Sequence, residues 1–158
     1  MSTVGILRKR PTLALLLVMF VMGGLLLYFG IREDAAVVSF GDAEVSVEVA
    51  ATPDQRAKGL SGREALTSSE GMLFIFERAD FHAFYMPDMN FPIDIIWMDD
   101  DLRVVDISKD VPPESYPELF TPQEPARYVL EVVAGFADSH GIKTGDRAQV
   151  KGLSLASK

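Results

Sequence analysis

The sequence contains no cysteine, and this absence removes several kinds of chemistry at once. It excludes disulfides, a lipid-modified cysteine anchor, a thiolate nucleophile and cysteine-ligated zinc. The only histidines, His82 and His140, have no partners at zinc-ligand spacing, so we expect neither a metal site nor a cofactor. The chain also lacks a Gly-x-Ser-x-Gly motif and a phosphate-binding glycine loop. No recognisable catalytic motif is therefore present.

Positive charge is also scarce. The chain has 15 Lys and Arg against 23 Asp and Glu, a net charge of −8. Such a surface repels phosphate backbones, so we expect no nucleic-acid partner. The acidic run 99–101 lacks the EF-hand glycine and glutamate, because Val104 and Asp110 occupy those places. This run is interpreted as a solvated turn.

A long uncharged run near the start predicts where the chain is placed. Residues 11–31 carry no charge and are mostly apolar, and three cations at 8–10 precede them. About 20 apolar residues cross a hydrocarbon core of ~30 Å, and the cation bias predicts a cytoplasmic N-terminus. We expect a cytoplasmic segment at 1–10, a single-pass anchor in the cytoplasmic membrane at 11–31 and a linker at 32–36. The remainder would lie outside, in a periplasmic or extracellular position.

A cleaved signal peptide is the competing interpretation of the same run, and it would give a secreted protein. Signal peptides usually have an apolar core of ~7–15 residues followed by a small-x-small site. Here the core is longer, and Ile31, Arg32 and Asp34 interrupt the small residues that follow. These two observations favour an uncleaved anchor.

Residues 37–152 carry the pattern of a β-rich domain, with a frayed tail at 153–158. Short alternating runs and frequent turns are typical of a small barrel or a sandwich with short helices. Thr52, Pro53 and Gln55 predict a capped helix that ends at Gly59. A second short helix is expected at 134–140. Strands are predicted at 37–40, 43–50, 72–76, 83–86, 93–98, 102–108, 128–133 and 147–151.

Four segments, taken together, resemble one known family. They are Gly59-Leu60-Ser61-Gly62-Arg63, the run 71–76, the run 86–97, and Tyr128-Val129-Leu130-Glu131 with Gly135 and then Gly145-Asp146. In this order and spacing, the chain is similar to the prokaryotic domain of unknown function 192 family from about Val45 to Val150. The resemblance implies a small, β-rich domain that is often exported or membrane-anchored, with no assigned activity.

The chain departs from that family at one place. Many members have Trp-Met-Lys-Asn-Thr where this sequence has Tyr-Met-Pro-Asp-Met at 85–89. A role that depends on the Lys or Asn therefore does not carry over. Met86, Pro92 and Asp94 do match.

Two carboxylates stand in apolar surroundings and are the sharpest candidates for a site. Asp94 lies within an apolar strand, so it either ties the Met86–Phe91 loop through backbone N–H groups or acts as a ligand or general base. Glu131 is similar, and Arg63 is its predicted partner. If Asp94 and Glu131 shared a cleft, they would suit glycan hydrolysis.

The group Met86, Met89, Phe91 and Pro92 is the predicted binding lip, with the proline-rich stretch 110–127 opposite it. Three hypotheses follow. The first is a non-catalytic binding module for a small molecule, a glycan or an extended peptide, with Asp94, Glu131 and Arg63 beside the lip. The second is a hydrolase that uses Asp94 and Glu131. The third is an accessory subunit that docks onto a membrane-protein partner.

Overall fold

The computed structural model describes residues 36–153 of the chain. The predicted anchor at 11–31 lies outside the described residues, as does nearly all of the predicted tail. Within 36–153, no helix combines the length and the apolar character needed to cross a bilayer.

Seven strands and two short α-helices make up this part of the chain. A 3-10 turn at Pro113–Ser115 lies in the proline-rich stretch. The elements are, in chain order, β1 (Ala36–Phe40), β2 (Ala43–Ala50), α1 (Pro53–Lys58), β3 (Glu70–Asp80), β4 (Ile93–Met98), β5 (Val104–Val111), β6 (Ala126–Val133), α2 (Phe136–Ser139) and β7 (Gln149–Lys151).

All seven strands form one sheet in the order β5-β4-β6-β3-β2-β1-β7. Neighbours are antiparallel except β2 and β3, which run parallel. A parallel pair needs a crossover connection, and α1 lies in it. The helix starts as the sequence predicts, because the Thr52 hydroxyl accepts from the Gln55 N–H and the Gln55 side chain accepts from the Thr52 N–H.

The two edges of the sheet meet over a short stretch. Val104 donates to the Asp146 carbonyl at 2.8 Å, and Gly145 donates to the Val104 carbonyl at 2.8 Å. A bridge between Arg103 and Arg147 and a hydrogen bond from the Ala148 N–H to the Leu102 carbonyl at 2.9 Å continue this contact. The strands β5 and β7 themselves are not paired with each other. The β-rich prediction is confirmed, but the sheet is neither a closed barrel nor a two-sheet sandwich.

The sheet is covered on both faces, because side chains alternate along each strand. We call one side the Leu130 face; its buried residues include Val38, Val45, Leu73, Ile96, Leu130 and Val132. The other is the Phe74 face, where Met72, Phe74, Ile95, Trp97 and Val129 pack against Leu60, Phe84, Met86 and Phe91 from the loops. The central strands therefore separate two apolar clusters.

Three predicted strands are present with other bounds, because β3 is longer than the predicted 72–76, β6 begins two residues earlier and β7 begins two residues later. Two further differences have local reasons. Residues 83–86 do not form a strand; only Phe84 is paired, through a single bridge to Phe120. Phe120 lies among prolines, which have no N–H with which to continue a ladder. β5 begins at Val104 instead of 102, because the Asp99 carboxylate accepts from the N–H groups of Asp101 and Arg103 and holds the turn.

Candidate functional site

Asp94 is a fully buried carboxylate whose oxygens are occupied by backbone donors. It is 0% exposed and lies on the Leu130 face, opposite Val132. It accepts from the N–H groups of Asp110 at 2.9 Å, Gly135 at 3.2 Å and Ala137 at 2.8 Å. Asp94 therefore ties the end of β5 and the start of α2 to the sheet. The prediction that it ties the Met86–Phe91 loop is wrong, because that loop packs on the other face.

Glu131 is the other buried carboxylate, and its environment is different. It lies in the middle of β6 on the Phe74 face, opposite Met72 and Ile95, and is 6% exposed. No side chain or backbone group within 36–153 forms a hydrogen bond with its carboxyl group. Burial raises the pKa of Glu131 to about 8, and the positive charge of Arg63 only partly opposes that rise. At neutral pH this side chain is mostly an uncharged carboxylic acid.

Arg63 is bound to a different partner from the one predicted. Its two terminal nitrogens donate to the two carboxylate oxygens of Glu48, at 2.6 and 2.7 Å. The β2–β3–β6 register places Glu48, Met72 and Glu131 in one row across the Phe74 face. The positive charge of Arg63 therefore lies close enough to lower the pKa of Glu131. Its hydrogen bonds, however, go to Glu48, which is the more exposed of the two carboxylates. This fork lowers the pKa of Glu48.

The two candidate carboxylates do not share a cleft. Asp94 and Glu131 are on opposite faces of the sheet, since their cross-strand partners, Val132 and Ile95, belong to the two different clusters. The predicted two-carboxylate hydrolase site is therefore wrong. Asp94, with three backbone donors and no exposure, is also unavailable as a base or a ligand-binding group.

Glu131 instead opens into a pocket on the Phe74 face with a volume of about 220 Å³. We call it the Glu131 pocket. One side is formed by the end of α1 and the turn that follows it, the other by the loop 83–89. Its lining is largely apolar and includes Arg56, Ala57, Lys58, Gly59, Leu60, Ser61, Phe74, Phe76, Ala83, Phe84, Tyr85, Pro87, Met89 and Glu131.

Three hydrogen bonds hold the two sides of the pocket together. The Gly62 N–H donates to the Asp88 carbonyl at 2.9 Å, and the Ser61 hydroxyl donates to the Pro87 carbonyl at 2.8 Å. The Asn90 amide donates to the Arg63 carbonyl at 2.8 Å. The positive φ values of Gly62 and Asp88, 77° and 51°, allow the backbones to approach in this way. The segments 59–63 and 87–90 thus form one polar clasp, although they are far apart in sequence.

Two cations from α1 line the pocket. Arg56 is fixed, because its Nη1 donates to the carbonyls of Ala51 at 2.6 Å and Ile75 at 2.9 Å, and its guanidinium lies 4.9 Å from the centre of the Phe76 ring. Lys58, at the end of the helix, is exposed. The pocket therefore combines a neutral acid, aromatic walls and two positive charges.

Only some residues of the predicted binding lip belong to this site. Met89 lines the pocket, but Met86 and Phe91 are 2% and 9% exposed and belong to the core below it. Pro92 is exposed and does not line the pocket. Sequence reasoning missed Arg56, Phe76 and Tyr85. The capping box of α1 located the helix, but nothing in the sequence showed which loop it faces.

The proline-rich stretch does not lie opposite the binding lip as predicted, because none of its residues lines the pocket. It packs beside the 83–85 segment instead. Phe84 and Phe120 exchange two backbone hydrogen bonds, both of 2.8 Å. The rings of Tyr85 and Tyr116 lie 6.0 Å apart. This contact fixes the back of the 83–85 segment, whose front lines the pocket.

Comparison with known proteins gives a consistent result. The profile of the domain of unknown function 192 family (DUF192, "Uncharacterized ACR") matches residues 36–150. A solved structure from Novosphingobium aromaticivorans, described as a protein of unknown function, is 33% identical with a TM-score of 0.66, covering 73% of this chain and 83% of that one. A protein from Sinorhizobium meliloti, named a "putative transcription regulator", is 29% identical with a TM-score of 0.68, covering 75% of this chain and 93% of that one. No curated protein matches the chain.

Proposed function

The chain belongs to the domain of unknown function 192 family, and we propose that it is a non-catalytic binding module whose ligand occupies the Glu131 pocket. The observation that carries the proposal is the Glu131 carboxyl group. A polar group in a largely apolar environment normally has a hydrogen-bond partner. The oxygens of this carboxyl group are not sealed in the core, because no side-chain N or O atom of residues 36–153 is both fully buried and without such a partner. Glu131 is 6% exposed, opens into the pocket and has no such partner among residues 36–153. A bound molecule would supply it.

The other features of the pocket support binding more than catalysis. Glycan hydrolysis uses a pair of carboxylates, and among residues 36–153 Glu131 is the only carboxylate that lines the pocket. The aromatic walls offer apolar contact, and the clasp fixes the two sides. Ligand sites commonly have this composition, with apolar walls and a few polar groups that orient the ligand.

We also propose the membrane placement that the sequence predicts, with the anchor at 11–31 and the binding domain on the outer side. The uncharged run and the preceding cations support it. Docking onto a membrane-protein partner would be compatible with this placement. Protease added to intact spheroplasts should cut the domain but leave cytosolic markers whole. A domain that is protected until the membrane is opened would contradict the placement.

Binding is tested with the full-length chain in mild detergent, with unfolding followed by the fluorescence of Trp97. This is the only tryptophan, and it is 0% exposed. The probes are phenylacetate, phenylacetamide and phenethylamine, which share a ring but differ in charge. A ligand that binds only the folded state raises Tm, and at least one probe should do so by about 3 °C or more at millimolar concentration.

A variant with a filled pocket tests whether the rise in Tm comes from binding in the pocket. Ala83→Phe adds a ring to an exposed residue of the pocket lining, and Ala65→Phe adds the same ring to an exposed residue outside it. The first variant should lose the shift and the second should keep it. If no probe raises Tm, or if Ala83→Phe responds like wild type, the proposed function is wrong.

A further inference from the structure

We infer that the ligand of the Glu131 pocket is a small carboxylate with an apolar body, held by Arg56 and Lys58 at its charged end and by the Glu131 carboxyl group as a hydrogen-bond donor. This inference rests on the proposed function and specifies its ligand class. It comes from three properties of the pocket, which are the sign of its charge, the donor that it offers and the size of its apolar part.

The charge of the pocket is opposite to that of the chain as a whole. The chain has a net charge of −8, yet the charged residues that line the pocket are two cations, Arg56 and Lys58, and Glu131. Arg56 uses its Nη1 to hold two backbone carbonyls, which leaves its other N–H groups available. A cationic ligand would meet two like charges here, whereas an anion meets two opposite ones.

Glu131 supplies a donor and not a second negative charge. The charged groups around it are Arg63 with its bound Glu48, from the turn after α1 and from β2, and the lining cations of α1. Because the Arg63 fork is already occupied by Glu48, it does not bind the Glu131 carboxyl group. The protonated acid therefore has an O–H to donate, and a carboxylate oxygen is the strongest acceptor that a small ligand offers.

The apolar part of the ligand is limited in size. The pocket volume of about 220 Å³ is below the usual ~300–1,000 Å³ of drug-sized sites. Phe74 and Phe84 meet edge to face with ring centres 4.9 Å apart, and Phe76 adds a third ring. One aromatic ring or a short branched chain fits these walls. A monocarboxylate of that size matches the three properties together.

The three phenyl probes separate this ligand class from its alternatives. At pH 6.5, phenylacetate should bind at least tenfold more tightly than phenylacetamide or phenethylamine in a titration of the full-length chain. If phenethylamine or phenylacetamide binds as well or better, the inference is wrong while pocket binding stands. If none of the three binds, the proposed function itself has failed.

Variants and pH test the two polar contacts separately. Lys58→Gln should weaken phenylacetate about fivefold, while the exposed Lys143→Gln, outside the pocket, should not change it. Between pH 6.5 and 9, wild-type affinity should fall about tenfold, because only the neutral Glu131 donates and the binding-competent fraction shrinks. Glu131→Gln keeps a donor and should bind at both pH values. Equal affinity of the wild type at pH 6.5 and 9, or phenylacetate binding unchanged by Lys58→Gln, would overturn the inference.

Discussion

Asp94 and Glu131 are two buried carboxylates in neighbouring strands, one residue out of register, and they have opposite environments. Asp94 faces the Leu130 cluster and accepts three backbone hydrogen bonds. Glu131 faces the Phe74 cluster, opens into the pocket and has no hydrogen-bond partner within the described residues. The sequence around each is similarly apolar. The difference shows that burial alone does not determine whether a carboxyl group is hydrogen-bonded within the fold.

The two residues differ in the number of backbone N–H groups that donate to the carboxyl group. A carboxylate whose oxygens accept several backbone N–H groups is fully used by the fold. A carboxyl group that is buried without them is held neutral, and it keeps an unused donor for a ligand.

The largest effect is expected at Asp94. Replacing Asp94 with Ala leaves the N–H groups of Asp110, Gly135 and Ala137 without their acceptor, in a site where the aspartate itself was fully buried. The free energy of unfolding should therefore fall by roughly 3–5 kcal/mol. Denaturant unfolding followed by Trp97 fluorescence measures the change. Asp42→Asn, in the exposed β1–β2 turn, is the matched control and should change stability by less than about 0.5 kcal/mol. An Asp94→Ala variant as stable as this control would remove the distinction between the two acids.

The second effect is a pH dependence that belongs to Glu131. Its pKa is raised from 4.5 to about 8 in the folded state, so the folded state binds more protons than the unfolded state between these values. Stability is therefore lost as pH rises, by about 3 kcal/mol between pH 5 and 8. Glu131→Gln does not titrate, and its stability relative to wild type should increase by that amount over the same range. Parallel pH profiles for the two proteins would show that Glu131 is not held neutral.

The smallest effect is expected at Arg63. Arg63→Gln breaks the fork to Glu48, a partly exposed ion pair, and should cost less than about 1 kcal/mol of stability. It also removes the positive charge that lowers the pKa of Glu131, so that pKa should rise further. Carbon-13 NMR titration of the glutamate carboxyl groups measures the shift. Arg78→Gln, at a highly exposed residue, serves as the control and should leave the Glu131 titration unchanged. A fall in the Glu131 pKa of Arg63→Gln would contradict the proposed arrangement.

The strands of the fold were predictable because their side-chain patterns are local. The alternation of Val45 and Val47 with Ser46 and Glu48 placed β2, and the structure buries the valines and exposes the polar residues. The capping box likewise located α1. The resemblance to the family, based on motifs spread over the whole domain, is confirmed.

The site was less predictable because it depends on register. The sequence shows that Glu131 and Arg63 are both present, but not that the parallel β2–β3 pairing places Glu48 in the same row and gives Arg63 another partner. In the same way, the step of one residue between the pairs Asp94–Val132 and Ile95–Glu131 separates the two acids. Strand order and register come from contacts between distant segments, and these are not written in any single motif.

The pairing of β1 with β7 has a consequence for how the domain is made. The first and last strands of the described chain are neighbours, and Val38 lies opposite Val150. Until β7 has been synthesised and has reached β1, the outer edge of β1 therefore has no strand to pair with. A nascent chain stalled before residue 149 would present that edge to chaperones and to other copies of itself, so the length of the product decides whether assembly can finish.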